Sequence, residues 1–432
     1  MKRFVAVLLA IVLVAPVFAQ APTVSALKGK KVEVVIWTHE DVARTALEKR
    51  LIDEFIKANP TVTVNYVTYP SGKIKDIVVA GFAANAGPDI FNLEIFDEYQ
   101  FISNGRVAPV DYKSAGFKSL KDMQAKYMAG MLDPVTEDGK IYGMPLELTN
   151  WAIYLNKKIF RDAGLDPAKD YPKTWEDVMS VSEKIVKRDG QIITRRGFDF
   201  RYPYYLTSVV PMVEQLGGVL VAADGKTVIT GDAAWLKVLN YFKDFGPNGK
   251  NLGSPTYTAA RKVFDNDKNE IAMSISGLYQ EARMRDANKA FYDSGEWMVI
   301  PYPQWKDAVK KVPNNYYGHY YMVNAQKSKL NQQAAWALLG YMLSHGQEYL
   351  EKVAIVQPTK ALMESSTFKN MPYSDVFAKD MAAGHIVYYG AASSKIESLL
   401  KEAFESVMLS GVDPAKALEK LRKDTAAALA DI

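Results

Sequence analysis

Apolar residues in the first hundred positions occur either in short runs or at helical spacing, and the two patterns alternate. Short runs predict strands, and recurring apolar positions that stop at Asn59-Pro60 predict a helix and its end. The predicted strands are residues 32–37, 62–66 and 90–91, and the predicted helices between them are residues 47–58 and 74–82. This alternation of strand and helix indicates an α/β protein with a mainly parallel sheet covered by helices on both faces.

The ends of these strands are the first candidate positions for a site. In parallel sheets, ligands bind beyond the carboxyl ends of the strands. The loop after Trp37 and the segment after Phe91 are therefore candidate walls of a binding site.

Residues 141–160 combine two patterns. Glu147, Thr149 and Trp151 lie at alternate positions, and an apolar run then extends to Leu155. The combination predicts one strand that begins in a polar setting and ends buried. Because the strand begins among carboxylate, hydroxyl and indole groups, it is a candidate wall of a cleft.

The N-terminus has the layout of a secretory signal peptide. Lys2 and Arg3 precede an apolar run from Phe4 to Val17, and Val17-Phe18-Ala19 fits a small-x-Ala cleavage site. We predict that residues 1–19 are removed on export, and an uncleaved N-terminal anchor is the alternative. No cysteine follows the run, which excludes a lipoprotein anchor at that site.

Charge and cysteine content exclude several classes of function. The formal net charge of +4 falls by two when Lys2 and Arg3 are lost, so no large field would attract nucleic acid or anionic lipid. The chain of 432 residues is long enough for two or more domains, and its lack of cysteine excludes thiolate nucleophiles and thiolate metal sites. The histidines, at 39, 319, 345 and 385, show no metal-ligand spacing. We predict neither a metal nor a cofactor.

A set of short motifs extends over most of the chain and resembles one family. The segments are Phe55-x-x-x-Asn59-Pro60, Gly87-Pro88-Asp89-Ile90, Tyr142-Gly143-Met144-Pro145, Asn156-Lys157-Lys158, Ala163-Gly164-Leu165, Thr174-Trp175-Glu176-Asp177, Ile271-Ala272-Met273 with Gly277, and Gln357-Pro358-Thr359. In this order they resemble the extracellular solute-binding proteins of ABC importers, family 1, which includes the maltose-binding proteins. One departure is that Leu155, not tyrosine, precedes Asn156-Lys157.

The resemblance implies a two-lobed periplasmic-binding-protein fold of type II. Each lobe would be a mainly parallel sheet flanked by helices, and the ligand cleft would lie between the lobes. The implied N-terminal lobe comprises residues 28–146 and 321–357, and the C-terminal lobe residues 147–320 and 358–432. Such a protein would be a periplasmic or extracellular monomer that binds a carbohydrate and delivers it to an ABC permease in the membrane, without catalysis and without nucleic acid.

A neutral polyhydroxylated ligand needs flat aromatic faces against its C–H surfaces, and carboxylates or imidazoles for its hydroxyl groups. Tyr279, two residues after Gly277, lies where the maltose-binding proteins carry a stacking tryptophan, and is the strongest stacking candidate. The full set of predicted ligand-binding residues is Trp37, His39, Glu40, Glu94, Asp97, Glu147, Thr149, Trp151, Tyr205, Tyr279, Tyr317, His319 and Tyr389.

These residues could have purely structural roles, and other functions are also possible. Each aromatic residue could be ordinary core, His39 could be a solvated loop residue, and Glu94 and Asp97 could begin a helix, where acids are favoured. The zincin, nucleophile-elbow, P-loop and Gly-x-Gly-x-x-Gly motifs are absent. A secreted glycoside hydrolase nevertheless stays open, because sequence alone cannot locate its pair of acids. A binder of another solute, such as a polyol, a phosphodiester or a polyamine, is the third possibility.

Overall fold

The computed structural model describes residues 21–200, 204–254, 264 and 270–431, and the predicted signal peptide lies outside these residues. The strands, β1 to β14 in chain order, are Val32–His39, Val62–Tyr69, Ile90–Glu94, Thr136–Glu137, Lys140–Ile141, Gly143–Thr149, Ala152–Asn156, Lys187–Asp189, Ile192–Asp199, Val219–Val221, Val228–Thr230, Ile271–Ser276, Trp297–Ile300 and Tyr317–Val323.

The α-helices follow the same order. Helices α1 to α18 are Val42–Ala58, Ile74–Ala83, Tyr99–Ser103, Leu120–Lys126, Lys157–Asp162, Trp175–Ile185, Tyr205–Ser208, Val210–Gln215, Asp232–Phe245, Tyr279–Ala287, Lys289–Asp293, Lys329–Met342, Gly346–Val353, Lys360–Glu364, Ser366–Lys369, Ser374–Met381, Ser393–Ser410 and Pro414–Ala430. Within the described residues, none of these helices is both long and apolar enough to cross a membrane.

The first sheet has the strand order β2-β1-β3-β14-β6. Strand β1 is parallel to both its neighbours, and β14 is antiparallel to both of its own, so four of the five strands run the same way. Helix α2 packs against β1 and β3, and α1 packs against β2 and against α12 and α13. The strands and helices predicted in the first hundred residues are confirmed, including the end of α1 at Ala58, just before Asn59-Pro60.

The second sheet has the order β13-β7-β12-β9-β8 and is more mixed than the sequence predicts. Only β9 and β12 are parallel neighbours, and the other three adjacent pairs are antiparallel. Antiparallel neighbours need no crossover helix, so a short strand such as β13 can pair directly with β7. Helices α17 and α18 pack on each other and on α9, and the Tyr241 ring of α9 contacts Trp175 of α6.

The predicted single strand in residues 141–160 is wrong, because the segment forms two strands in two different sheets. Strand β6 ends at Thr149 in the first sheet, and β7 begins at Ala152 in the second. Both strands are fully buried on both faces, so hydropathy alone does not show the break between them.

Sheet membership shows where the chain passes from one sheet to the other. The passages lie at residues 150–151 and between β13 and β14. Residues 147–149 and 317–320 belong to the first sheet, since β6 pairs with β14 and β14 pairs with β3. We therefore propose that the lobe boundaries lie at residues 150–151 and 301–316, slightly displaced from the limits inferred from the sequence.

Candidate functional site

Four polar side chains lie side by side at the end of the first sheet where β1 and β3 finish and the chain passes to the second sheet. His39 and Glu94 are the last residues of β1 and β3, and His319 on β14 is paired with both Glu94 and Glu147. Directly paired residues on neighbouring strands point to the same face. His39, Glu94, Glu147 and His319 are called the polar row below.

Direct contacts fix the geometry of the polar row. His319 Nδ1 lies 3.0 Å from Glu147 Oε1, and both side chains are almost fully buried. The rings of His39 and His319 stack with their centroids 4.2 Å apart and an interplanar angle of 26°. Burial raises the pKa of the Glu94 carboxyl above its ordinary value, although His319 and two tyrosine hydroxyl groups lower it. The polar row therefore places carboxylate oxygens and imidazole nitrogens side by side, and most of these groups are shielded from solvent.

Three aromatic rings lie beside the polar row. Trp151, Tyr204 and Tyr317 contact one another, with ring centroids 5.1 to 5.5 Å apart. The Tyr204 hydroxyl donates to Glu94 Oε1 at 2.8 Å, and the Tyr317 hydroxyl donates to the same oxygen at 3.4 Å. Tyr204 immediately precedes α7, and α7 packs on α17 in the second lobe. These rings, called the aromatic cluster, thus join the second lobe to the polar row.

Thr149, at the end of β6 in the first sheet, and Tyr279, at the start of α10, lie close to each other. A Cβ atom on Gly277 would lie 2.7 Å from Cε1 of Tyr279 and 3.0 Å from Cγ2 of Thr149. Burial raises the pKa of the Tyr317 hydroxyl, and the nearby Tyr279 hydroxyl contributes to that rise. Of the predicted residues, the structure therefore brings eight together: His39, Glu94, Glu147, Thr149, Trp151, Tyr279, Tyr317 and His319.

A buried network behind β1 supports the polar row. Arg44 is fully buried, and its guanidinium donates to Thr38 Oγ1 at 2.6 Å and to the carbonyl oxygen of His39. Asn92 accepts from Thr38 Oγ1 at 3.0 Å and from the His39 backbone N–H at 3.2 Å. These bonds hold the backbone of the last two residues of β1 in place. They therefore also fix the position from which the His39 side chain extends.

Two predicted residues near the end of β1 lie outside this group. Trp37 packs against α2 so closely that a Cβ on Gly81 would lie 2.7 Å from its ring, and its ring meets Tyr69 edge-on at 5.5 Å. Glu40 is exposed, and only its backbone N–H is bonded, to the carbonyl of Tyr69, among the contacts of the described residues. Alternation places Trp37 and His39 on one face of β1, and helix α2 covers that face at Trp37.

The side chains of three further predicted residues have their described contacts outside the polar row. Asp97 forms an ion pair with Lys75 at 2.6 Å. Tyr205 is buried and stacks on Phe404 of α17 with centroids 5.6 Å apart. Tyr389 is part-buried, and its backbone N–H donates to a serine hydroxyl at the start of α17. Tyr204, one position before Tyr205, belongs to the same aromatic segment, but the predicted set of ligand-binding residues contains only Tyr205.

The polar row also contains the one group of possible metal ligands found among the described residues. One atom each from His39, Glu147 and His319 lies within 4.8 Å of the others, although the sequence suggested scattered histidines. A metal must lie in the plane of each imidazole at about 2.0–2.1 Å from its nitrogen. The His39 and His319 rings are stacked with centroids 4.2 Å apart and planes inclined by 26°. The two ring planes therefore intersect too far from the ring nitrogens for one ion to lie in both planes at bonding distance. The geometry therefore disfavours one ion shared by both histidines.

Comparison with known sequences identifies the family. The sequence pattern described as bacterial extracellular solute-binding protein matches residues 40–349. The chain belongs to this family. Among the relatives of this solute-binding protein, the arabinooligosaccharide-binding protein of Bacillus subtilis (strain 168) is 22% identical over 65% of the chain. The match spans 62% of the length of that relative.

Solved structures with a similar fold align with nearly the whole length of this solute-binding protein. The GacH receptor of Streptomyces glaucescens GLA.O has a TM-score of 0.78 at 21% identity, covering 93% of this chain and 99% of its own. The maltose/maltodextrin-binding domain MalE from Bdellovibrio bacteriovorus has a TM-score of 0.76 at 20% identity, covering 91% and 98%. The prediction of a two-lobed α/β fold like that of maltose-binding proteins is thereby confirmed.

Proposed function

We propose that this protein is the substrate-binding component of an ABC importer and that it captures a carbohydrate between its lobes. The observation that supports this most directly is the meeting of the polar row with the aromatic cluster. Carboxylates and imidazoles suit sugar hydroxyl groups, and ring faces suit sugar C–H surfaces. The names of relatives agree with a sugar ligand, since they include arabinooligosaccharide-binding and lactose-binding proteins.

Ligand capture follows from the division of the site between two lobes. The polar row belongs to the first sheet, whereas Tyr204 and Tyr279 belong to elements of the second lobe. A ligand that contacts both sets binds the closed arrangement better than the open one, and this difference in affinity drives closure. The hydrogen bond from Tyr204 to Glu94 supports this division, because it joins a residue beside α7 to the end of β3.

Export, delivery and the absence of catalysis belong to the same proposal. We infer that residues 1–19 direct export, that the mature monomer works outside the cytoplasm, and that its liganded form docks on a membrane permease. Hydrolysis of a glycosidic bond requires two acids about 5–10 Å apart on either side of that bond. In the polar row, Glu147 is paired with His319 and Glu94 accepts from two tyrosines, which suits binding of hydroxyl groups.

The experiment is a thermal-shift screen of the protein without residues 1–19 against arabino- and malto-oligosaccharides, monosaccharides, polyols and glycerophosphodiesters. A ligand present at 100 times its Kd adds about 2.7 kcal/mol to the stability, which is a clear rise in Tm. We expect a rise with a sugar, followed by recovery of that sugar intact in chromatography.

Each other outcome would favour a different function. Cleavage of the sugar during incubation would indicate a hydrolase. A rise only with a glycerophosphodiester or a polyol would replace the carbohydrate with another solute, and no rise across the panel would contradict the carbohydrate proposal.

A further inference from the structure

The two stacked histidines of the polar row have partners that assign their protons. An ionised carboxylate only accepts hydrogen bonds, so the contact between Glu147 Oε1 and His319 Nδ1 requires a proton on Nδ1. A neutral imidazole has one N–H, and Nε2 of His319 is then an acceptor. The carboxylate therefore fixes the tautomer of His319 as well as the direction of its ring.

The neighbouring histidine has the opposite arrangement. Asn92 Oδ1 accepts from the Thr38 hydroxyl at 3.0 Å and from the His39 backbone N–H at 3.2 Å. Its amide nitrogen therefore faces His39, and it donates to His39 Nδ1 at 3.1 Å. With Nδ1 as an acceptor, a neutral His39 has its proton on Nε2. The stacked pair thus has a donor on one Nε2 and an acceptor on the other.

The His319 ring has little freedom to turn. One face stacks on His39 at 4.2 Å, and Tyr317 meets the ring edge-on with centroids 5.3 Å apart and an interplanar angle of 87°. The pairing of β14 with β6 shifts register between His319 and Tyr320. Such bulges redirect side chains and are frequent beside functional sites. Ring packing, a hydrogen bond to the Glu147 carboxylate and a bulge all constrain the His319 imidazole.

We propose that His319 is a specificity-determining residue, which accepts a hydrogen bond from one ligand hydroxyl through Nε2. The inference rests on the proposed function, because it takes the ligand to be a carbohydrate. A site arranged to bond a hydroxyl rejects the analogue that lacks it, since the protein group is left buried without a partner. A ligand deoxygenated or O-methylated at that position should bind about 10 to 100 times more weakly.

The first test needs no ligand. Long-range ¹H–¹⁵N spectra of the protein at pH 8, assigned with His39→Gln and His319→Gln variants, report which nitrogen of each ring has the proton. We expect Nδ1–H for His319 and Nε2–H for His39. A proton on Nε2 of His319 overturns the inference, even in a protein that binds sugars.

The second test compares the sugar found in the screen with its monodeoxy and O-methyl analogues by calorimetry. In the wild type, the change at one position should cost at least 10-fold in affinity. His319→Phe keeps a flat ring without the acceptor, so the parent sugar should weaken while the affinity for that one analogue stays the same. Equal weakening of every analogue would overturn the assignment.

A matched control separates this effect from the loss of any buried histidine. His345 is buried, and its ring packs on Tyr341 in the first lobe, away from the polar row. His345→Phe should leave all the affinities unchanged. If the tautomers are as expected but no sugar binds, the proposed function fails, not the proton arrangement.

Discussion

Tyr279 is the first residue of α10, and its ring lies against Gly277 and close to Thr149. Because this position combines a flat ring with the second-lobe side of the site, Tyr279→Ala should weaken ligand binding by about 10-fold, or about 1.4 kcal/mol. Tyr279→Phe keeps the ring and should stay within a few-fold of the wild type. Calorimetry with the sugar found in the screen measures both, and equal losses in the two variants would contradict a stacking role.

Glu98 gives a prediction about pH and stability. Its side chain is fully buried, and neither carboxyl oxygen has a hydrogen-bond partner among the described residues. Burial, together with repulsion by Asp97 and Glu94, raises its pKa well above the ordinary value. The folded protein therefore keeps a proton that the unfolded chain loses above about pH 4.3, so this group lowers stability as pH rises.

Replacing Glu98 by methionine should remove that pH dependence. We expect Glu98→Met to stabilise the fold by about 1–3 kcal/mol near pH 8, with a smaller gain at pH 5. Urea unfolding at the two pH values measures the difference. Glu364→Met replaces an exposed acid and serves as the control. A gain that is larger at pH 5 than at pH 8 would show that Glu98 is ionised in the folded protein.

Individual site residues were predictable where a local pattern or a family motif placed them. Glu147, Thr149 and Trp151 share one strand and its exit, so alternation was enough to group them. The predicted set contains Tyr205 and not Tyr204, and the sequence does not fix the start of α7, which decides which of the two adjacent rings faces the site. The stacking of His39 on His319 depends on the strand order β1-β3-β14. Local sequence patterns do not predict this order, so the sequence did not predict the stacked pair.

At the scale of elements, a buried ion pair within helix α1 is hydrogen-bonded to strands β1 and β14 of the first sheet. Arg44 and Glu48 lie 3.5 Å apart with no exposure, and the Tyr321 and Tyr349 hydroxyl groups donate to Glu48 at 2.8 and 3.0 Å. Removing one member of such a pair leaves the other charge buried without compensation. The pair therefore couples α1, α13 and β14 behind the polar row.

Arg44→Met should accordingly destabilise the protein by about 3–5 kcal/mol in urea unfolding. Arg50 on the same helix is partly exposed and pairs with Glu54 and Glu348, so Arg50→Met should cost about 1 kcal/mol or less. The double variant Arg44→Met with Glu48→Met should be more stable than Arg44→Met alone. A small effect of Arg44→Met would mean that the pair is compensated by solvent.

The elements themselves were largely predictable, and their pairing was less so. The period of the apolar residues predicted β1, α1, β2 and α2, because each has one buried face. The break between β6 and β7 was missed because both strands are buried on both sides, which removes the alternation that marks a boundary. The antiparallel pairs of the second sheet were missed because direction is set by long-range connections.

On the scale of the whole molecule, contacts outside the polar row also join elements that we assign to different lobes. Lys75 of α2 bonds both Asp97 Oδ1 and Ser394 Oγ of α17 at 2.6 Å, and the Tyr388 hydroxyl donates to the Asp133 carbonyl at 3.2 Å. These contacts favour the closed arrangement without requiring a ligand. Their strength therefore sets part of the apparent affinity.

Lys75→Met should shift the equilibrium towards the open form. Exposed ion pairs contribute about 0.2–1 kcal/mol, so the affinity should fall by up to about fivefold. Small-angle scattering should show a larger radius of gyration for the unliganded variant. Lys73 is exposed just before the same helix, and Lys73→Met should change neither value. An unchanged radius of gyration in Lys75→Met would mean that the contacts of Lys75 with Asp97 and Ser394 do not contribute to closure.

Trp151 gives the molecule a built-in optical reporter. The residue stands at the passage between the sheets, its backbone N–H donates to Asn314 Oδ1 at 3.0 Å, and its indole touches both Tyr204 and Tyr317. Any rotation of one lobe against the other must change these ring contacts, and emission from indole responds to such changes. Ligand titrations should therefore be visible in the intrinsic fluorescence without a label, and Trp151→Phe should abolish most of the signal. The same residue that joins the lobes would let their motion be timed in a stopped-flow instrument.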